Sequence, residues 1–268
     1  MSLILTLTTA SLQSMLDPKA DPPRTLLDVP DYVINTLDLR GLNINASMLS
    51  GWGVEDLDRL RDRADKAACP CLVLFEEEPL PFGDEDEEAV ASCKDRVERL
   101  AFAAHRLGCN ALALRCQGAA GGPAEDELLE RAAEAIRGLM AGIEHLELNL
   151  LLAQADGMTS DPDRLTELIK KVGGFRIGAM PLFGVGSKEE VDMERLRKLA
   201  PYAGAIHVSV EKFTGKGKHK GFDLAESIAT IRRVGYMNTV TIDYVGDGDP
   251  SKDIQSARDT MQAAIDAE

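Results

Sequence analysis

One pattern repeats along this chain: a short apolar run suited to a buried strand is followed by an amphipathic, charge-rich run suited to a helix. It occurs eight times in 268 residues. The strand starts lie roughly 30 to 40 residues apart, about the length of one βα unit. This alternation predicts a parallel sheet covered by helices, and eight units is the number that closes a (β/α)8 barrel. We expect one domain over residues 1–268, with its chemistry at the carboxyl ends of the strands.

The predicted elements follow from the hydrophobic period and from start and stop signals. The strands are predicted over residues 3–7, 37–45, 71–76, 111–115, 146–154, 176–181, 205–210 and 239–244. The helices are predicted over residues 24–34, 54–67, 86–107, 125–143, 161–172, 191–199, 224–234 and 254–267. Gly108, Gly173 and Gly235 stand where helices should stop, because glycine is the usual residue after the last helical turn.

Charge and cysteine content restrict the partners and the compartment. A formal net charge of -15 disfavours nucleic acid and anionic membranes as partners, because both attract basic residues. Five cysteines without disulfide-framework spacing indicate reduced thiols and a reducing compartment. No signal peptide or membrane span is predicted, so we expect a cytoplasmic protein. A homo-oligomer is compatible with this composition.

Five short stretches carry a family resemblance and keep their order along the chain. They are DPDRL at 161–165, FRIG at 175–178, AIH at 205–207, GFDL at 221–224, and GY at 235–236 with TVTIDY at 239–244. Together they resemble the xylose isomerase-like TIM-barrel superfamily of sugar phosphate isomerases, epimerases and endonuclease-IV-type enzymes. The resemblance runs over most of the chain and implies a single xylose isomerase-like barrel.

Members of that superfamily typically hold a divalent metal with ligands at the ends of strands five to eight. The resemblance places Ala153 where a strand-five glutamate is common and Leu182 where a strand-six aspartate is common. His207 matches the strand-seven histidine, and Asp243 stands at the strand-eight glutamate position, one methylene shorter. Two ligands of four do not make a metal site. We therefore expect a degraded metal centre, with His207 and Asp243 as the residual ligand positions and the candidate catalytic residues.

Other side chains at the strand ends are candidates for binding a ligand. Arg115 either pairs with a carboxylate such as Glu76 or holds an anionic substrate. Gln154 and Asn45 could hydrogen-bond substrate hydroxyls. The lysines of the seventh loop could bind a phosphate group, or the loop could simply be solvated. The candidate lysines there are Lys212, Lys218 and Lys220, next to Lys216.

Three functional hypotheses remain open from the sequence. The first is a sugar phosphate isomerase/epimerase-like barrel that binds a carbohydrate-like or phosphorylated small molecule without a cofactor. The second is an active isomerase or epimerase with a relocated or metal-free acid/base site. A metal site rescued by Glu76, Asp156 or Glu211 would instead hold Mn, Mg, Co or Zn. The third is a non-catalytic partner subunit.

Overall fold

The fold was examined in a computed structural model that describes residues 3–20, 22, 24–117, 124–184, 186, 188–214 and 218–267. The described residues form nine parallel strands in one sheet, in the order β6-β5-β4-β3-β2-β1-β9-β8-β7. The strands are β1 Ile4–Thr8, β2 Leu42–Asn45, β3 Cys71–Leu80, β4 Ala111–Cys116, β5 Asn149–Ala153, β6 Ile177–Ala179, β7 Leu182–Gly184, β8 Ala205–Val210 and β9 Thr239–Tyr244.

Helices alternate with these strands and cover the outside of the sheet. They are α1 Val29–Asn35, α2 Val54–Ala67, α3 Glu87–Leu107, α4 Ala124–Ile143, α5 Pro162–Val172, α6 Glu189–Leu199, α7 Leu224–Arg233 and α8 Pro250–Asp266. Aspartates cap several of them: the Asp86 carboxylate accepts from the amides of Glu88 and Ala89 at the start of α3. No described helix has the length and apolarity that crossing a bilayer requires.

The sheet closes where the sixth strand of the sequence prediction breaks into two. Pro181, which has no N–H to donate, separates β6 from β7. β6 pairs with β5, whereas β7 pairs with β8. We call this break between β6 and β7 the seam. Beside it, the Gly204 amide donates to the Ala179 carbonyl and the His207 amide donates to the Pro181 carbonyl, both at 3.0 Å. The predicted xylose isomerase-like (β/α)8 architecture is therefore confirmed.

The barrel interior is apolar on one side and polar on the other. A small apolar cluster fills the side under β3 to β6 and includes Phe75, Ala113 and Ala153. On the side of β1, β2 and β9, the Thr241 hydroxyl shares a 2.8 Å hydrogen bond with Thr6 and accepts another at 2.8 Å from Asn43. Because side chains alternate along a strand, every second residue of each strand faces this interior. The larger apolar core lies between sheet and helices.

Several predicted boundaries are wrong, for local reasons. The strand predicted over 37–45 begins at Leu42, because Asp38 adopts a positive φ of 52° that extended backbone does not allow. The strand predicted over 146–154 begins at Asn149, after Glu147 with a φ of 57°. The first helix begins at Val29, preceded by a short 3-10 turn. The glycine stops are confirmed, with positive φ at Gly108, Gly173 and Gly235.

Gly184 is expected to be essential for seating β7 against β8. Its φ is +116°, and a Cβ at this position would stand 2.2 Å from the Ser209 carbonyl oxygen. We predict that Gly184→Ala lowers the free energy of unfolding by about 3–5 kcal/mol, from steric overlap together with a backbone conformation that alanine disfavours. Chemical denaturation measures the loss.

The matched control is Gly51→Ala, since Gly51 has a φ of +79° with no other heavy atom within 4 Å of an added Cβ. This change should cost only about 1–2 kcal/mol, from the backbone alone. Equal losses in the two variants would contradict the close approach of β7 to the Ser209 carbonyl.

Candidate functional site

His207 and Asp243 meet at the carboxyl ends of β8 and β9. The His207 Nε2 and Asp243 Oδ2 atoms are 3.2 Å apart, and both side chains are largely buried. The Ser209 hydroxyl donates to the same Asp243 oxygen at 3.1 Å. The His207 ring also packs against Phe75, with 5.8 Å between ring centroids. The sequence paired these two residues by strand position, and the structure places them in contact.

The Asp243 carboxylate is held in its charged form. Burial raises its pKa, but the interaction with His207 and the hydrogen bonds from His207 and Ser209 outweigh that effect. The net result is a pKa below the ordinary value of 3.8. A carboxylate paired with a histidine in this way can accept a hydrogen bond or a proton from a ligand hydroxyl.

Apolar side chains stand at the two other positions where the resemblance expects metal ligands. Ala153 is fully buried within the interior cluster, and Leu182 packs against that cluster. Within the described part of the chain, no group of three or more His, Cys, Asp or Glu side chains could hold a metal ion. Catalytic zinc sites use three protein ligands, and magnesium or manganese needs several oxygens. Among the described residues at the strand ends, the set of donor side chains therefore does not fit a divalent metal.

Gln154 binds the main chain of β7. Its Oε1 accepts from the Leu182 amide at 2.9 Å, and its Nε2 donates to the Leu182 carbonyl at 3.4 Å. Arg195 on α6 donates to the same carbonyl at 3.2 Å. The Gln154 amide thus bridges β5 and β7 beside the seam. This placement gives the side chain a positioning role in addition to the predicted contact with a ligand.

Arg115 is not paired with Glu76, so that alternative is wrong. Arg115 donates from Nε to the Gln154 carbonyl at 2.8 Å and from Nη1 to the Glu77 carbonyl at 3.3 Å. Glu76 is buried on the outer face of β3, where Arg96 of α3 donates to its carboxylate at 2.7 Å. The reason is strand alternation: Glu76 and Arg115 lie on opposite faces of the sheet.

A cavity of about 230 Å³ opens at the strand ends beside the paired His207 and Asp243. Residues of β4, β7, β8 and α6 and of the segment that follows β5 line it, and they include the predicted binding residues Arg115 and Gln154. The lining residues are Arg115, Gln154, Ala155, Asp156, Ser160, Leu182, Phe183, Arg195 and Ser209. The volume suits a small metabolite rather than a drug-sized ligand.

Asn45 lies on the polar side of the barrel and is heavily engaged. Its Oδ1 accepts from the Thr8 and Thr9 hydroxyls and from the Ala10 amide, at 2.9 to 3.0 Å. These bonds order the 3-10 turn that follows β1. Its Nδ2 is the group that would remain for a ligand. Asn43, two residues earlier, is also buried, and its Oδ1 has no hydrogen-bond partner among the residues that the structure describes.

The lysines of the seventh loop lie apart from the cavity lining. Lys212, Lys218 and Lys220 are exposed, and the Lys212 ammonium pairs with Asp247 at 2.8 Å. His219 orders this loop: it is buried and stacks on Phe222, with ring centroids 4.4 Å apart. Residues 118–123 and 215–217, which include Lys216 and the glycine-rich fourth loop, are outside the described residues.

The three carboxylates considered as replacement ligands are placed differently. Glu76 is committed to Arg96 outside the barrel. Asp156 is exposed and lines the cavity. Glu211 follows β8 and is partly exposed, and its amide donates to His219 Nε2 at 3.2 Å. Of the three, Asp156 is the one that the structure brings to the cavity.

Sequence reasoning missed Ser209 and Arg195. Ser209 lies two residues after His207 on the same strand, so strand alternation alone could have placed it on the same face. Arg195 comes from α6, where its guanidinium pairs with the buried Asp192 at 3.0 Å. No spacing rule connects a position in a helix to a strand end, so no sequence signal indicated Arg195.

The fold and the site define an α/β barrel whose polar groups gather at the carboxyl ends of its strands. The model of the xylose isomerase-like TIM barrel family matches residues 36–264. The chain therefore belongs to the xylose isomerase-like TIM barrel family. No curated protein sequence matches it significantly.

Solved structures of the same architecture include several sugar epimerases. The chain resembles 3-keto-D-glucoside 4-epimerase from E. coli with a TM-score of 0.75 and 12% identity, over 97% of this chain and 99% of that one. For D-psicose 3-epimerase with D-tagatose from Clostridium cellulolyticum H10, the TM-score is 0.71 and the identity 15%, over 98% and 97%. For the IOLI protein with a bound zinc atom, the values are 0.72 and 13%, over 98% of each chain. At such identities the likeness establishes the fold.

The Asp243 carboxylate should contribute to stability in a defined pH range. Because its pKa is lower in the folded protein, the contribution is complete well above pH 3.8 and is lost as pH falls below that value. We predict that Asp243→Asn flattens the dependence of the unfolding free energy on pH in the acid range below about pH 4. Urea titrations at a series of pH values measure this slope.

The exposed Asp62 of α2 supplies the control, since Asp62→Asn should leave the slope close to that of the wild type. An unchanged slope in Asp243→Asn would mean that the contact with His207 and Ser209 does not hold the charge of Asp243 in solution.

Proposed function

We propose that this protein is a sugar phosphate isomerase/epimerase-like barrel whose divalent-metal site is degraded, and that it binds a carbohydrate-like or phosphorylated small molecule at the barrel mouth. The observation that carries the proposal is the composition of the strand ends. His207 and Asp243 contact each other, while Ala153 and Leu182 offer no ligand atom. The cavity beside them supplies the space for such a molecule.

The donor groups around the cavity support a polyhydroxy ligand. The Asp156 carboxylate and the Ser209 oxygen line the cavity and can accept from hydroxyls, and Arg115 can donate to them. Ser209 also contacts the Asp243 carboxylate next to the cavity. Sugar hydroxyls need both kinds of partner, because each hydroxyl is a donor and an acceptor. Binding would then depend on hydrogen bonds and on the exclusion of water rather than on coordination.

Restoring the missing ligands tests the degraded-site proposal. The triple variant Ala153→Glu, Leu182→Asp and Asp243→Glu provides four ligand side chains together with His207. We predict that purified wild type carries no stoichiometric metal and that the triple variant binds Mn, Co or Zn, because several charged ligands replace lost hydration. Elemental analysis and calorimetric titration of the metal alone measure both.

Ala91→Glu combined with Ala263→Glu, two exposed changes on α3 and α8, controls for the two negative charges that the triple variant adds. Stoichiometric metal in the wild type would overturn the proposal. A folded triple variant without metal affinity would overturn the assignment of residues 153 and 182 to the ligand positions.

A second candidate is an active isomerase or epimerase with a metal-free acid/base site. The buried Asp243 carboxylate beside His207 favours it, because such a pair can take a proton from the carbon next to a carbonyl and return it. In this scheme Asp243 accepts the proton, and His207 orients the Asp243 carboxylate through its Nε2 atom. Asp156 is the carboxylate best placed to act as a second base, since it lines the same cavity.

Solvent exchange distinguishes the second candidate from simple binding. Incubation with D-fructose in D2O should exchange the C–H beside the carbonyl, observed by NMR, and Asp243→Asn should abolish the exchange. Asp62→Asn should leave it unchanged. Exchange that persists at the wild-type rate in Asp243→Asn would exclude Asp243 as the base.

A further inference from the structure

We infer that Arg115 forms the anion-binding subsite of the barrel mouth and that the natural ligand is a small polyhydroxy compound bearing a carboxylate or phosphate group. This inference rests on the proposed function, since it specifies the ligand of the same cavity. Four observations support it: the unmatched charge of Arg115, its free donors, its connection to Asp243 and the surroundings of the loop-seven lysines.

The charge of Arg115 has no counter-ion in the part of the chain that the structure describes. Among the residues that the structure describes, no carboxylate lies within ion-pairing distance of its guanidinium, and its recorded partners are two neutral carbonyls. Other arginines of low exposure are matched: Arg195 pairs with Asp192, and Arg258 pairs with Asp38 and Asp259. A half-buried guanidinium without a carboxylate is stabilised when an anion binds.

The two carbonyls hold Arg115 in place and leave donors free. Nε and one Nη1 hydrogen point to the carbonyls of Gln154 and Glu77. The hydrogens on Nη2 and the second hydrogen on Nη1 remain available to a ligand, and the plane of the guanidinium fork is already fixed by the two carbonyls. A fixed planar fork binds carboxylate or phosphate oxygens in a bidentate manner and loses little side-chain entropy.

The cavity connects this fork to the paired His207 and Asp243. Ser209 lines the cavity and also donates to the Asp243 carboxylate. A molecule with its anionic group at Arg115 therefore places its hydroxyl-bearing carbons toward Ser209 and Asp243. The volume of about 230 Å³ limits the occupant to a small metabolite. Asp156 also lines the cavity, but it is exposed, so water and salt screen its repulsion.

The seventh-loop lysines are poorer candidates for this role. Lys212 already pairs with Asp247, and Lys218 and Lys220 are exposed to water. None of the three lines the cavity. Screening by water weakens exposed charges relative to a half-buried one. We therefore locate recognition of the anion at the end of β4 rather than in the loop after β8.

Matched pairs of ligands test the subsite by isothermal titration calorimetry on the full chain. D-gluconate and D-glucitol differ only at the carboxylate, and D-glucose 6-phosphate and D-glucose differ only at the phosphate. We expect at least one anion to bind about tenfold or more tightly than its neutral partner. Arg115→Gln should remove that preference, because it weakens binding of the anion about tenfold or more and binding of the neutral partner by much less. The double variant Lys218→Gln, Lys220→Gln should keep the full preference.

The outcomes separate the subsite from the proposed function. If a neutral sugar binds and neither anion is preferred, the subsite is wrong while the proposed function stands. A preference that survives Arg115→Gln, or that is lost with the two lysines, also overturns the subsite. If none of the four compounds binds the wild type, both proposals fail.

Because Arg115 also bonds two carbonyls, Arg115→Lys serves as a second variant. It keeps the charge and loses the fork, so it should weaken binding of the anion more than binding of the neutral partner. Wild-type affinity for the anion in Arg115→Lys would overturn bidentate recognition. Circular dichroism melts check that each variant is folded.

Discussion

The seam at the sixth strand is the constraint on which the rest of this barrel depends. A parallel barrel leaves no free edge, yet Pro181 removes a donor where the sheet must close. Side chains compensate for this break: Gln154 binds the main chain of Leu182, and the Gly184 amide donates to the buried Asp192 at 2.8 Å. Arg195 neutralises Asp192 and reaches the Leu182 carbonyl. A buried polar network therefore connects β7 to the residue that follows β5 and to α6.

That network also shapes the mouth of the barrel. Gln154, Leu182 and Arg195 hold β7 and line the cavity at the same time. Since Gly184 approaches the Ser209 carbonyl closely, β7 also fixes the position of β8 at Ser209, which lines the cavity. The same residues thus close the sheet and line the cavity. A change at the seam is therefore expected to affect both stability and the proposed binding.

The interior of the barrel is divided into a polar half and an apolar half, and this division underlies the proposed recognition by hydrogen bonds and charge. The apolar half, with Ala153 and Leu182 at its upper end, offers no oxygen or nitrogen for coordination. The polar half presents the paired His207 and Asp243, supported by Ser209. Arg115 adds a positive charge at the edge of the apolar half, where the low polarity of its surroundings strengthens its attraction for an anion.

The sequence by itself determined the architecture, and the family resemblance assigned His207 and Asp243 to neighbouring strands. Hydrophobic periods specify which segments are buried, and parallel strands bring their carboxyl ends to one rim. The family resemblance also placed Ala153 and Leu182 at that rim, at the positions where metal ligands are common. Two strands are shorter than predicted because Asp38 and Glu147 adopt positive φ values, and hydrophobic periodicity gives no sign of such values.

Only the tertiary structure decided what each polar side chain contacts. It separated Arg115 from Glu76, assigned Gln154 to the main chain of β7, and brought Arg195 from α6 to the cavity. These choices depend on which face of the sheet a residue occupies and on which helix packs there. Such distances are set by the closure of the whole barrel, and no local pattern along the chain encodes them.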